Sequence, residues 1–429
     1  MKNERPAPLD KLKNERTREQ NQNADLLKQI NQKKRPRLSG DMIRLIVITV
    51  LAMAALPLLL FLVANFEMPD FRITHVDGDG VLSPGGIVDA VDSQRDYSAD
   101  ATYSLEHVFY WESGGTLELP VIGATGWAAT NVVLRAEPNN SSASRASLSP
   151  GDGFTITDGS VEGWWEVRLP SGTEGWVETR RCFINLPDVL PSIIYNVTNA
   201  RSSRFTSSYV PLPGVWGRQL YEAHSFNERL GRYEYHVPGM YSLAHALFRV
   251  QQSALDNGET LVIYEVFRPR STQRLVADSL NTLVREDFYV ANAFTGAWSV
   301  GNFISQGRSN HQLGGAVDAA MGLVHRQEII RTGDYSFVRN SASSIHGTSS
   351  MHELSPEAVL PSNRNSAAGR DVHEVIWNMR DYFVREGFRP LSSEWWHFDH
   401  TASISAAASA GIAGEFYTPA IYSVPPVRD

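Results

Sequence analysis

From Leu45 to Ala64 the chain runs for twenty residues without a charge (LIVITVLAMAALPLLLFLVA). At ~1.5 Å per residue a helix of that length covers a hydrocarbon layer of ~30 Å. No other feature restricts the architecture as much, because it predicts one transmembrane helix over 42–66 with the bulk of the chain on one side of it. A helix buried in a soluble core would keep a polar face, which this run lacks. A secretory signal would have an apolar stretch of about 7–15 residues near the start and a small-residue cleavage site, so an uncleaved anchor is the expectation. Lys33, Lys34, Arg35, Arg37 and Arg44 precede the run, whereas Glu67 and Asp70 follow it. The positive-inside bias then puts the N-terminus in the cytoplasm and residues 67–429 outside the cell membrane, in a single-pass arrangement.

Residues 1–40 hold eleven Lys/Arg against five Asp/Glu, while the whole chain stands at −8, so the remainder carries −14. The head is Asn/Gln/Lys-rich and free of aromatics, a composition that cannot bury a core, and 1–41 is read as a disordered basic cytoplasmic tail. Nucleic-acid binding requires a basic folded surface, so no nucleic-acid partner is expected. The single cysteine, Cys182, excludes an internal disulfide and a cysteine-cluster zinc site. Any metal must be held by His, Asp or Glu.

Residues 67–116 are Gly/Asp/Ser-rich and read as a spacer or small subdomain. Between 117 and 184 short β-type runs alternate with turn signals: Val132–Arg135, Gly153–Thr157, Gly163–Leu169 and Gly175–Val177. This density of short strands predicts a small all-β barrel. The Val-Arg first strand, the Gly-Asp turn, Gly163-Trp164-Trp165-Glu166-Val167 and Gly172-Thr173-Glu174-Gly175-Trp176-Val177 together resemble the bacterial Src-homology-3 domain. The resemblance implies binding of cell-wall peptide or glycan, with Trp164, Trp165 and Trp176 serving either as ligand contacts or as barrel core.

After Cys182 the pattern changes to longer helical stretches, Met240–Asp256, Ser271–Asp287 and Ala367–Glu386, with a buried-strand candidate at 261–266 before Arg268-Pro269. This is α+β ordering, without a glycine-rich phosphate loop. The folded region is set at 185–402, and the Ala/Ser-rich 403–429 is read as a C-terminal tail.

Two local patterns carry chemistry: Ser309-x-His311-x-x-Gly314-x-Ala316-x-Asp318, and Glu394-Trp395-Trp396-His397. A catalytic zinc takes about three imidazole or carboxylate ligands and keeps one position open for water. His311 and Asp318, separated by a Gly-Gly turn, and His397 from elsewhere in the fold supply that set. Glu394, three residues before His397, can sit beside the metal as a base without being a ligand. A chance match to the first pattern is on the order of one in a million per starting position at ordinary residue abundances. The remaining ten histidines are assigned ordinary packing or surface roles, His400 among them as a solvated residue at the end of a strand.

These motifs resemble the zinc D,D-peptidases that include the VanX-type D-alanyl-D-alanine dipeptidases and the VanY-type D,D-carboxypeptidases, over about Leu186–Asp399. The resemblance implies an antiparallel sheet with flanking helices, one Zn2+ per chain held by His311, Asp318 and His397, and Glu394 as catalytic base. It also implies that Arg268, in Phe267-Arg268-Pro269, stabilises the developing oxyanion. Ser309 either contacts substrate or braces the ligand loop. The paired tryptophans, Arg385-Glu386-Gly387-Phe388 and the run Leu186–Phe205 favour the dipeptidase branch. Val197-Thr198-Asn199-Ala200-Arg201 and Glu265-Val266-Phe267 depart from its usual wording. The expected activity is hydrolysis of D-alanyl-D-alanine or of peptidoglycan stem-peptide termini, with the barrel holding the cell wall and one helix holding the membrane. A D,D-carboxypeptidase and an inactive wall-binding protein stand as alternatives.

Overall fold

The computed structural model describes residues 116–221, 223–417 and 420–428. The tail over 1–41, the span over 42–66 and the spacer, apart from Thr116, lie outside the described residues. Among the described residues no helix is long and apolar enough to cross a membrane.

Seven short strands come first: β1 (Thr125–Ala128), β2 (Val132–Arg135), β3 (Ser144–Leu148), β4 (Gly153–Asp158), β5 (Trp164–Arg168), β6 (Glu174–Glu178) and β7 (Cys182–Asn185). The two-residue period of a strand sends Trp165, Val167 and Val177 into the core, while Trp164 and Trp176 stay half-buried on the other face. Of the three tryptophans, Trp165 is thus the core residue.

The chain continues through β8 (Ile194–Tyr195), the hairpins β9 (Thr206–Ser207)/β10 (Val210–Pro211) and β11 (His224–Asn227)/β12 (Arg232–Tyr235), and β13 (Pro238–Met240). β13 pairs antiparallel with β7, so the first sheet runs β13-β7-β1-β4-β5-β6-β2-β3 and includes a strand from beyond the barrel sequence. The second sheet is built from β14 (Glu259–Glu265), β15 (Ala316–Thr332), β16 (Tyr335–Ile345), β17 (Phe388–Pro390) and β18 (His397–His400), in the order β17-β18-β15-β14-β8 with β16 also on β15. Only the β14–β8 pair of that sheet is parallel. The architecture is mixed α+β.

β14 is buried along its whole length, because β15 and β8 flank it and the helix Tyr241–Leu255 packs beside it. That helix buries Leu243, Ala244, Leu247, Val250, Gln251 and Ala254 on one stripe. The polar member, Gln251, is satisfied: it donates to Ser192 Oγ and Thr260 Oγ1 and accepts from Leu261 N. The stretch Ala367–Glu386 forms two helices, Ala367–Arg370 and Glu374–Arg385, because His373 caps the second through Val375 N.

Residues 403–429 do not leave the folded body. The helix Thr401–Ser409 packs on the turn that carries His311, and the following segment runs back over the barrel, where Val424 N bonds Gly123 O and Thr155 Oγ1 bonds Tyr422 O. Two buried polar residues knit the three parts together. The Asp188 carboxylate accepts from Thr125 N, Asn227 Nδ2 and Ser423 Oγ. The Arg229 guanidinium donates to the carbonyls of Pro120, Ile122, Asp188 and Val424, and burial pulls it down to about 10.

Arg229→Met should leave these buried carbonyls without partners and cost about 3 kcal/mol, read as a lowered midpoint in urea at unchanged slope. The Glu118 carboxyl accepts from Ser192 N and Ser192 Oγ, and burial pushes it up to about 8 from 4.5. A raised folded value means that the native state holds the proton longer, so this contribution is full below pH ~4.5 and is lost as pH rises through about 8. Glu118→Gln should flatten the pH dependence of stability across that window relative to the parent chain, measured by denaturant titrations at several pH values.

Candidate metal centre

The register of the second sheet brings the site together. Asp318 on β15 is the cross-strand partner of Glu265 on β14 and of His397 on β18, and cross-strand partners share a face. The two-residue period of β18 adds Asp399 to that face and turns His400 away from it. His400 is buried rather than solvated: its Nδ1 meets Ser403 Oγ at 2.7 Å, its ring packs on Phe388, and burial lowers its pKa.

His311 comes from a short turn, Asn310–Leu313, whose N-cap is Ser309; the Ser309 Oγ accepts from His311 N. The turn closes on Gly314 at φ 59°, in the left-handed region, and a Cβ there would stand 2.7 Å from the Phe183 ring. A glycine is required on both counts.

Three donor atoms converge. Asp318 Oδ1 lies 3.2 Å from His311 Nε2 and 3.0 Å from His397 Nδ1, and the two nitrogens are 3.1 Å apart. The far nitrogens fix both tautomers: His311 Nδ1 donates to Val266 O at 2.9 Å and His397 Nε2 to Asp399 Oδ1 at 3.0 Å. Two lone pairs and a carboxylate oxygen therefore face one point. A tetrahedral zinc with arms of about 2.0–2.1 Å has ligand-to-ligand edges of about 3.3 Å, so this triangle fits such an ion.

The electrostatics also call for a cation. Burial opposes a charge on His397, but its hydrogen bonds to Asp318 and Asp399 and the field of Glu394 outweigh this and push it up to about 10. Burial likewise works to raise Asp318, yet the imidazoles of His311, His352 and His397 hold it well below the usual carboxylate range. Glu394 lies in the loop before β18, its Oε2 3.9 Å from His397 Nδ1, and burial pushes it up to about 8. Its carboxyl has no hydrogen bond among the described residues and borders a cavity of about 280 Å³. Trp395 and Trp396, between the carboxyl and the ligand in sequence, are core.

A second group, Glu265, Asp318 and His352, also has its ligand atoms close together. Arg268 already occupies it: Nε and one terminal nitrogen donate to Glu265 Oε2 at 2.9 and 2.5 Å, and that nitrogen also reaches Asp318 Oδ2 at 3.3 Å. The guanidinium fills this cluster, so the His311–Asp318–His397 triangle is the metal candidate. Gln273 Oε1 accepts from the other terminal nitrogen of Arg268 at 2.8 Å. One of the five guanidinium hydrogens has no partner among the described residues, and Arg268 lines the cavity.

All six residues singled out from sequence line this cavity. Sequence reasoning missed His352, Asp399 and the anchor of Arg268 made by Glu265 and Gln273. Glu265 was visible as a carboxylate three residues before the arginine. Asp399 was visible as the residue two past His397 on a strand. His352 had no local signal, since it sits in a Ser/Thr-rich loop 34 residues from its partner Asp318.

Comparison with known proteins gives two matches. Residues 130–181 match the bacterial SH3 domain. A D-alanyl-D-alanine dipeptidase of Enterococcus faecium is 25% identical over 167 residues, covering 38% of this chain and 72% of that protein.

Gly314→Ala should cost at least about 2 kcal/mol, from the left-handed backbone and the contact with Phe183. Gly307→Ala, whose Cβ meets nothing within 4 Å, should be near neutral; paired urea titrations measure both.

Proposed function

We propose that this chain is a membrane-anchored zinc metallopeptidase that hydrolyses the amide between two D-alanines, in the free dipeptide or at the ends of wall peptides. The observation that carries the reading is the triangle of His311 Nε2, His397 Nδ1 and Asp318 Oδ1, with edges of 3.0–3.2 Å and an unbonded carboxyl beside it. The dipeptidase similarity supports the substrate class.

A zinc ion held by these three residues would lower the pKa of a water and polarise the scissile carbonyl. The chain's own residues do the rest. Glu394, buried beside the triangle with its carboxyl raised by desolvation, takes a proton from the attacking water and delivers it to the departing amine. Arg268 is pinned on three sides by Glu265, Gln273 and Asp318, so its remaining hydrogen faces the carbonyl oxygen in a fixed direction as charge builds there. Ser309 acts through His311 as the cap of its turn. The cavity, at about 280 Å³, is near the lower end of ligand pockets and suits a small peptide end.

The barrel supports a cell-wall partner, in keeping with the bacterial SH3 match. Residues 45–64 anchor the chain, with the basic head in the cytoplasm and the catalytic region outside.

The test uses the full chain in detergent with free D-Ala-D-Ala and with a pentapeptide ending in D-Ala-D-Ala, products identified by mass spectrometry. Dipeptide cleavage alone fits the dipeptidase, and release of terminal D-alanine the carboxypeptidase. Glu394→Gln should lower kcat by about 10²–10⁴-fold while keeping one zinc per chain by elemental analysis. Normal turnover by this variant, or turnover that survives complete chelation, refutes the mechanism.

A further inference from the structure

His352 is an odd residue to find where it is. Its φ of 62° is left-handed, a conformation that side chains with a Cβ rarely adopt and that persists only where the surroundings impose it. Here they do. Thr206 N bonds His352 O, Leu354 N bonds Thr206 O, and the buried Glu353 carboxylate accepts from Thr206 Oγ1 and Tyr209 N. The ring is buried against Phe205 at 4.8 Å between centroids. All of this construction delivers one atom, Nε2, to 3.2 Å from Asp318 Oδ2.

The chemistry of the neighbours settles which nitrogen carries the hydrogen. Nε2 faces two acceptor-only oxygens, Asp318 Oδ2 and, at 3.8 Å, Glu265 Oε2. Nδ1 faces the Asn199 amide nitrogen at 3.4 Å, a donor. The ring is therefore the Nε2–H tautomer. Asp318 Oδ2 takes hydrogens from His352 and Arg268, and only Oδ1 is left facing His311 and His397.

We propose that His352 is a positioning residue that makes Asp318 a one-oxygen ligand: by engaging Oδ2 it fixes the carboxylate's rotation and directs Oδ1 alone into the metal triangle. This rests on the metal-centre reading given above. A carboxylate free to swing or to chelate through both oxygens would lengthen the triangle edges that suit a small tetrahedral ion. Removing such an outer partner typically weakens metal binding by about 10–100-fold.

The test compares the full chain with His352→Gln and His352→Met. Both variants bear the same left-handed backbone, but only Gln carries a nitrogen that can reach Asp318 Oδ2. Zinc affinity, by competition with a chromogenic chelator, should fall about 10–100-fold in the Met variant and return to within a few-fold of the parent in the Gln variant. The metal-free proteins should unfold at similar temperatures. Parent-like zinc affinity in the Met variant, or equal losses in both, overturns the role of His352 and leaves the metal centre standing; a parent chain that binds no zinc overturns both. Should the variants fail to fold, ¹⁵N-histidine spectra of the parent decide the point. A protonated Nε2 on His352 supports the proposal, and a protonated Nδ1 sinks it.

Discussion

The site depends on how one buried carboxylate divides its two oxygens. Asp318 stands in the middle of a row across three strands, with Glu265 on one side and His397 on the other. Its Oδ2 is committed to Arg268 and His352, its Oδ1 to the two imidazoles. Four carboxyl groups, Glu265, Asp318, Glu394 and Asp399, are buried around this point, against one buried guanidinium. Isolated charges of one sign are costly in a medium that cannot solvate them. The arrangement calls for further positive charge at the triangle, and a divalent ion suits the place better than an apolar contact would.

How much of this was legible in the sequence follows from how local each part is. The His311–Asp318 spacing was readable because one turn and one strand start fix both residues, and Gly314 is demanded by the backbone between them. Glu394 and His397 were readable for the same reason. The strand near 261–266 and the helix over Tyr241–Leu255 were written in apolar spacing that no other element contradicts. His352 was not legible, because what makes it important is a loop held by Thr206 and Glu353 and a partner on another strand. The single helix expected over 367–386 failed on one side chain: the apolar period runs on, but the His373 imidazole competes for the backbone and starts a new helix.

The C-terminal residues were hidden for a different reason. Nothing in their composition distinguishes a solvated tail from a strap, since many of their contacts are backbone groups, such as the Val424 carbonyl on Arg229 and Val424 N on Gly123 O, and the side-chain anchors Phe416 and Ser423 follow no period. Burial of a hydrogen-bonded backbone leaves no side-chain period to read. Arg229, a charged residue in a hairpin turn, is likewise buried by backbone carbonyl groups that leave no sequence signal.

That strap changes what the barrel can be to the region that carries the metal triangle. Phe183 on β7 packs against Phe267, the residue before Arg268, and against Phe416 beyond the last helix, with centroids 5.4 and 6.1 Å apart. The same ring is what a side chain at 314 would strike. The barrel's last strand is thus a wall behind both the His311 turn and the Arg268 corner, and β13 extends its sheet from the part of the chain beyond the barrel sequence. Two modules joined by a flexible linker share only an effective concentration, which falls with linker length. Here the joint is a shared sheet with a buried aromatic cluster, so a wall polymer held on the proposed barrel partner surface would meet the metal triangle at one fixed distance and angle. On the proposed function, selection among peptide ends comes from where the barrel holds the polymer as much as from the small cavity itself.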